Sequence, residues 1–184
     1  VADWQTDLSV NVASALVAGQ QINNINIAAS GDKTDHQLSA SIDAEKGAVE
    51  LELNGKMKNA IWNGELSDIT LSDKKLSFNN TKNISVMVNT QNGDFDVSAH
   101  CWQSAQSKLC IDTLSQTKAL GQFNAKLANL SLAELKHLLP DNIRTRGDLT
   151  GDFAANWQSG ALKTLRANVN SNGLNAVLTS EEDR

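Results

Sequence analysis

Apolar and polar residues alternate along most of this chain, and the alternation constrains the fold more than any other feature. Leu38, Ala40 and Ile42, for example, alternate with Ser39 and Ser41. Because successive side chains of a β-strand point to opposite faces, a period of two predicts strands with one apolar and one polar face. About a dozen such runs follow one another, with turn sequences such as "NGK", "QNGD" and "SNG" among them. The sequence therefore predicts a mainly β protein that forms a long antiparallel meander.

Residues 131–139 depart from this pattern. Ser131 can cap the start of a helix with Glu134 as its capping-box partner, and Pro140 can end the helix. Leucines recur between them at helical spacing, at Leu132, Leu135, Leu138 and Leu139. The segment therefore predicts a short amphipathic helix, which would cover an open end or edge of the sheet or, alternatively, serve as a docking helix.

The two cysteines, Cys101 and Cys110, allow a metal site, a redox pair or a disulfide. A zinc site needs four ligands at short spacings, and a redox pair uses the C-x-x-C spacing. The other candidate metal ligands are three dispersed histidines, His36, His100 and His137. Eight intervening residues instead fit a hairpin with its turn at residues 104–107, which places the cysteines opposite each other. We therefore expect a disulfide, formed in an oxidising compartment.

This pairing raises a question about the second strand of the hairpin. If Cys110 shares a face with Cys101, then Leu109 and Ile111 point to the other face. The strand is then either apolar on both faces or bulged.

Charge and motifs argue against several functions. The net charge is −5 and the basic residues are scattered, so there is no patch for nucleic acid. No apolar run approaches the roughly 18 residues of a transmembrane helix. The sequence lacks the common phosphate-binding, metalloprotease and serine-hydrolase motifs. Asp94 and Asp96, with Ser98 and His100, are expected on an outward strand face rather than in a catalytic pair. We therefore expect no catalysis, cofactor or metal.

The apolar face of such a meander must be buried by barrel closure, by packing against a second sheet, or by a ligand that fills an open trough. Aromatic residues make up only 4% of the chain, so most inward side chains are small and aliphatic. This favours a partly open trough, although small aliphatic side chains also fill β-sandwich cores. The residues expected to line a groove are Ile25, Ile27, Leu38, Ala40, Ile42, Leu51, Leu53, Ile84, Val86, Val88, Phe95, Val97, Ala99, Phe123, Leu127, Leu149, Phe153, Ala155, Trp157 and Val169.

Three sequence segments carry a resemblance to a known family. They are "IWNGELSDITL", which contains W-x-G-x-L, the cysteine hairpin "HCWQSAQSKLC", and "LSLAELKHLLPDNIRTRGDLTGDFAANW". Their order over residues 62–169 resembles the TamB family of translocation and assembly module subunits, in the AsmA-like superfamily of bridge-like lipid-transfer proteins. The resemblance implies that residues 1–184 are a single β-groove segment of a much longer chain, with the meander curved into an open, taco-like groove.

The resemblance also implies a location, partners and two alternative functions. Such proteins are expected in the periplasm, anchored in the inner membrane, with the outer-membrane barrel protein TamA as partner. A phospholipid or another acyl-chain ligand would occupy the groove, so that the protein carries lipid between membranes and is linked to outer-membrane protein assembly. Alternatively, the chain would be a scaffold that templates the insertion of barrel proteins by strand pairing, without carrying lipid.

Overall fold

The computed structural model describes residues 5–17, 20–44, 47–72, 77–135 and 142–178 of the chain. These residues form a succession of antiparallel strands, which confirms the predicted meander. The strands are β1 (Thr6–Val12), β2 (Ala15–Val17), β3 (Gln20–Gly31), β4 (Asp35–Ala44), β5 (Gly47–Lys58), β6 (Ile61–Ser72), β7 (Ser77–Asn80), β8 (Ile84–Asn89), β9 (Phe95–Val97), β10 (His100–Ser104), β11 (Ser107–Thr117), β12 (Leu120–Ser131), β13 (Ile143–Gln158) and β14 (Ala161–Leu178).

All of these strands belong to one sheet. Its main path runs β1-β3-β4-β5-β6-β7-β10-β11-β12-β13-β14. The short strand β2 pairs with the start of β3, beside β1. Most long strands therefore pair with their neighbours in sequence, as expected for hairpins joined in series.

The middle of the sheet is built differently, from four short strands that we call the central seam (β7 to β10). The long strand β6 pairs with both β7 and β8, and the long strand β11 pairs with both β9 and β10. Two arms therefore connect β6 to β11: one through the β8–β9 hairpin and one through the pairing of β7 with β10.

Tight turns join several of the long strands, but not all at the predicted places. The turns at Asn59–Ala60, Lys118–Ala119 and Ser159–Gly160 have positive φ at both residues, as two-residue hairpin turns of type I′ require. The predicted "QNGD" turn lies between β8 and β9. The predicted "NGK" and "SNG" turns are wrong, because Gly55 lies inside β5 and Gly173 lies inside β14.

Irregular positions within the strands keep the apolar side chains on one face. Leu66 and Leu71 are five residues apart, so a regular strand would place them on opposite faces. Asp68, with φ of 51°, lies at a break in the β5–β6 register that shifts the parity between them. Asn129, with φ of 52°, does the same in β12 between Leu127 and Leu130.

The structure describes the first part of the predicted helix. Ser131 is the last residue of β12, and the residues that follow it, up to 135, form a turn that ends in 3₁₀ geometry. The Glu134 carboxylate does not act in a capping box there but accepts a hydrogen bond from the Ser107 hydroxyl. The remaining residues of the predicted helix, 136–139, lie outside the described part of the chain.

The described residues form one layer rather than the two layers of a sandwich. The accessible surface is 12270 Å², whereas a compact protein of 19.8 kDa exposes about 8,600 Å². Among the described hydrophobic residues, Ile84, Ile111 and Ala125 are the buried ones. The filled-sandwich alternative is therefore not observed in the described part of the chain.

Candidate functional site: an uncovered apolar face

The strand register divides the side chains into an apolar face and a polar face. Leu38 pairs with Ala29 on one side and with Leu53 on the other. The next residue, Ser39, pairs with Ala28 and Glu52. Because paired residues of adjacent strands share a face, Leu38 belongs to the apolar face and Ser39 to the polar face.

Nearly all of the predicted lining residues lie on this apolar face. The register places Ile25, Ile27, Leu38, Ala40, Ile42, Leu51, Leu53, Ile84, Val86, Val88, Phe95, Val97, Phe123, Leu127, Leu149, Phe153, Ala155, Trp157 and Val169 there.

Two residues near the central seam are placed differently from the prediction. Ala99 lies between β9 and β10, outside the strands, and it is exposed. His100, predicted to point outward, pairs with Ile111 and is only 4% exposed. The irregular residues 98 and 99 therefore shift the alternation by one position, and a histidine occupies the apolar face where alanine was expected.

One row of paired residues crosses the whole sheet on the apolar face without interruption. It comprises Thr6, Gly31, His36, Gly55, Gly64, Val86, Val97, Leu114, Phe123, Ala155 and Leu165. The row crosses the central seam through β8 and β9, so the apolar face is continuous between the two halves of the sheet. Sequence reasoning missed Leu114 and Leu165, although both follow the period-two signal.

The indole of Trp62 covers the glycine portion of this row. A Cβ atom on Gly55 would lie 2.6 Å from Trp62 Cζ2, and one on Gly64 would also meet the ring. These glycines therefore allow the ring to lie flat against the strand backbone, which explains why "NGK" is not a turn. The ring thereby presents an aromatic surface on this part of the apolar face.

Trp157 makes a similar arrangement in the other half of the sheet. Its ring covers Gly121, the residue paired with it on β12, and a Cβ atom there would overlap the ring. The indole Nε1 donates a 2.7 Å hydrogen bond to Oε1 of Gln116, one strand further away. The bond fixes the orientation of the ring across three strands.

A small polar cluster interrupts the apolar face at the β10–β11 hairpin. His100 Nδ1 lies 2.7 Å from the carbonyl oxygen of Ser98, and the His100 ring meets the Trp102 ring edge-on, with centroids 4.5 Å apart. Ser107 is completely buried, and its hydroxyl lies 3.1 Å from both the Asn129 carbonyl oxygen and Glu134 Oε2. We call His100, Trp102, Ser107 and Glu134 the polar cluster.

The predicted disulfide is present. Cys101 and Cys110 are paired in the β10–β11 register, with Cα atoms 4.0 Å apart. The turn of this hairpin lies at residues 104–107, as predicted. Their neighbours Leu109 and Ile111 lie on the apolar face, so the disulfide lies on the polar face. A register shift between Ile111 and Thr113 shows that the strand is also bulged, which answers the question left by the sequence.

The polar face carries the charged groups whose pKa values are shifted. Backbone N–H groups of Thr34 and Asp35 donate to the Asp32 carboxylate and lower its pKa from 3.8 to about 2. The Asp112 carboxylate accepts a 2.8 Å contact from Lys126 Nζ and raises the pKa of that lysine.

A cavity of about 960 Å³ also lies on the polar side of the sheet. Residues from seven strands and the turn after β3 line it, and they include Asp7, Asp32, Lys56, Glu65 and Asp96. Four of these five charged residues are acidic, and the lining also includes Thr6, His36 and Val86 of the row described above.

The described residues offer neither a metal site nor a membrane-spanning helix. No group of three or more His, Cys, Asp or Glu side chains in the described ranges could hold a metal ion. No helix in those ranges is long and apolar enough to cross a membrane.

The fold and the site define an all-β protein made of one long antiparallel sheet with an uncovered apolar face. The family model described as TamB, N-terminal domain, matches residues 2–183, and the chain belongs to this family. The curated protein "Translocation and assembly module subunit TamB" of Haemophilus influenzae is 22% identical over 147 residues. That alignment covers 79% of this chain and 11% of the relative, so the chain spans about a tenth of the relative's length. No solved structure matches the chain.

Proposed function

We propose that the apolar face binds the acyl chains of phospholipids and that the chain is one segment of a longer bridge that carries lipid between membranes. The observation that carries this proposal is the row of apolar-face positions that crosses the sheet from β1 to β14 without a second layer over it. A large uncovered apolar surface marks a binding site for an apolar partner.

The energetics favour a lipid as the ligand of such a surface. Moving an acyl chain of roughly 16 carbons through water costs about 0.8 kcal/mol per methylene, or about 12 kcal/mol in all. Contact with aliphatic side chains removes most of this cost, and it needs no catalytic group because the hydrophobic effect is non-directional. The protein would therefore act by shielding the acyl chain from water, without catalysing a reaction.

The family supplies the proposed setting. Its relative is named as a subunit of a translocation and assembly module. We therefore place this chain in the periplasm, as a single groove segment of an inner-membrane-anchored protein that works with the outer-membrane barrel protein TamA. The disulfide on the polar face fits an oxidising compartment of this kind.

Charge substitutions test the proposal, because an unpaired charge in an apolar setting is costly. Val86→Asp and Phe153→Glu introduce charge on the apolar face. Met87→Asp and Ala154→Glu are matched controls, because each introduces the same charge one residue away, on the polar face. We expect the first pair to lower phospholipid binding about tenfold or more, and the second pair to leave it unchanged.

Native mass spectrometry of each purified variant, mixed with phospholipid, measures the bound lipid, and circular dichroism checks the fold. Equal binding by both pairs, with all variants folded, would contradict the proposal.

The scaffold function has its own supporting observation. Every described residue of β14 is exposed, and the outer edge of this strand has no partner within the described residues. An open edge of this kind can pair with an incoming strand through backbone hydrogen bonds. Proline at a β14 position whose N–H points away from β13 should abolish strand pairing, whereas charges on the apolar face should weaken it less.

A further inference from the structure

One row of the apolar face differs in composition from the rows beside it. It is the outermost row of that face along the long edge of the sheet where the turns Asn59–Ala60 and Ser159–Gly160 lie. Three of the eight Trp and Phe residues of the chain belong to it, whereas an inner row pairs Leu53 with Leu66. We call this row the boundary row, and across its central strands it comprises Trp62, Val88, Phe95, Gln116, Gly121 and Trp157.

The boundary row combines open aromatic surface with polar groups. Trp62, Phe95 and Trp157 are each partly exposed. The Trp157 N–H donates to Oε1 of Gln116, and Nε2 of Gln116 donates a 3.2 Å hydrogen bond to the carbonyl oxygen of Gly93 in the turn between β8 and β9. Tryptophan rings favour positions where one end meets an apolar phase and the other meets water. The composition of the row is therefore that of a boundary between apolar surface and water.

The opposite long edge of the sheet lacks such a row in the described part of the chain. Trp102 lies there, beside the turn at residues 104–107, but its N–H is buried and its row continues through Leu109 and Leu127. Leu109 and Gln116 are seven residues apart on β11, which separates the two rows by about 23 Å at about 3.3 Å per residue. An acyl chain spans about half of the roughly 30 Å hydrocarbon core of a bilayer. The face between the two edges is therefore long enough for an acyl chain that begins at the boundary row.

We propose that the boundary row marks where the glycerol and head group of a bound phospholipid meet water, and that the acyl chains extend from it over the inner rows toward the Trp102 edge. This inference rests on the proposed function and gives the lipid one orientation on the sheet. The head group then stays in water along one long edge, while the acyl chains stay on the apolar face.

Paramagnetic broadening of the indole N–H signals tests this orientation on the unmodified chain by nuclear magnetic resonance. The probes are two phosphatidylcholines, one with a nitroxide on the head group and one with a nitroxide at the end of an acyl chain. Broadening falls steeply with distance from the nitroxide. The head-group nitroxide should abolish the indole signals of Trp62 and Trp157 and leave that of Trp102. The chain-end nitroxide should weaken the Trp102 signal more than the head-group nitroxide does.

Replacing the two rings tests whether they set the orientation. Trp62→Leu combined with Trp157→Leu keeps apolar side chains but removes the rings, so lipid should bind in both orientations and the head-group nitroxide should now weaken the Trp102 signal. Phe78→Leu is the matched control, because it removes a ring near the opposite edge, where β7 begins, and the Trp102 signal should survive. Circular dichroism checks that each variant is folded.

The outcomes separate this inference from the proposed function. Loss of the Trp102 signal with the head-group nitroxide in the unmodified chain, or equal broadening of all three indoles by both probes, would overturn the inference alone, because lipid would still be bound. A Trp102 signal that survives in the folded double variant would also overturn it. Failure of the unmodified chain to bind either probe in native mass spectrometry would overturn the proposed function as well.

Discussion

Because the Trp157 ring packs on Gly121, Gly121→Ala should destabilise the protein when Trp157 is present and stabilise it when Trp157 is replaced. In Gly121→Ala, the new Cβ atom would overlap Cε2 and Nε1 of the Trp157 ring, so the ring must move. The displaced ring loses the hydrogen bond to Gln116, worth about 1 kcal/mol, and strains the local packing by about 1–3 kcal/mol. Alanine recovers about 0.5–1 kcal/mol because glycine is unfavourable inside a strand. The net loss in free energy of unfolding is therefore about 2 kcal/mol.

The same substitution in a Trp157→Leu background should stabilise the protein. With the indole gone, only the preference of a strand for alanine over glycine remains, and we expect a gain of about 0.5–1 kcal/mol. Urea unfolding followed by circular dichroism measures all four variants of this cycle. Equal destabilisation by Gly121→Ala in both backgrounds would refute the claim that the glycine is required by contact with the ring.

Two further predictions concern the polar face. Replacing both cysteines, in Cys101→Ser with Cys110→Ser, should lower the free energy of unfolding by about 2.5 kcal/mol, because the disulfide closes a loop of about ten residues; unchanged urea unfolding would contradict this. The Asp32 carboxyl should titrate with a midpoint near 2 by nuclear magnetic resonance, below its ordinary value of 3.8. Because this pKa is lower in the folded state, the ionised carboxylate stabilises the fold above pH 3.8, and this stabilisation is lost as the pH falls through about 2. A measured midpoint of 3.8 would contradict the hydrogen bonds of the turn.

The sequence was sufficient to predict the features that depend on local pattern. The alternation of residues such as Leu38 and Ser39 placed them on opposite faces, and the structure agrees. The spacing of Cys101 and Cys110 was enough to predict that they pair, because a short hairpin has few registers that bring both residues together. In these cases the signal and the structure lie within the same few residues.

The features that the sequence did not reveal depend on residues distant in the chain. Gly55 was predicted in a turn because glycine commonly adopts positive φ, but here it makes room for the ring of Trp62. The positive φ of Asp68 could not be anticipated from its own sequence, because a bulge is defined by the register with a neighbouring strand. The inward position of His100 likewise follows from how the central seam joins two long strands.

The most direct measurement of the central claim is to map where a lipid contacts the sheet. A phospholipid with a photoreactive group at the end of one acyl chain is bound to the purified chain and activated, and mass spectrometry locates the adducts. The account predicts adducts on apolar-face residues such as Val97, Leu114 and Phe123. Adducts confined to the acidic cavity of the polar face, or none above the level of a photoreactive control without an acyl chain, would contradict it.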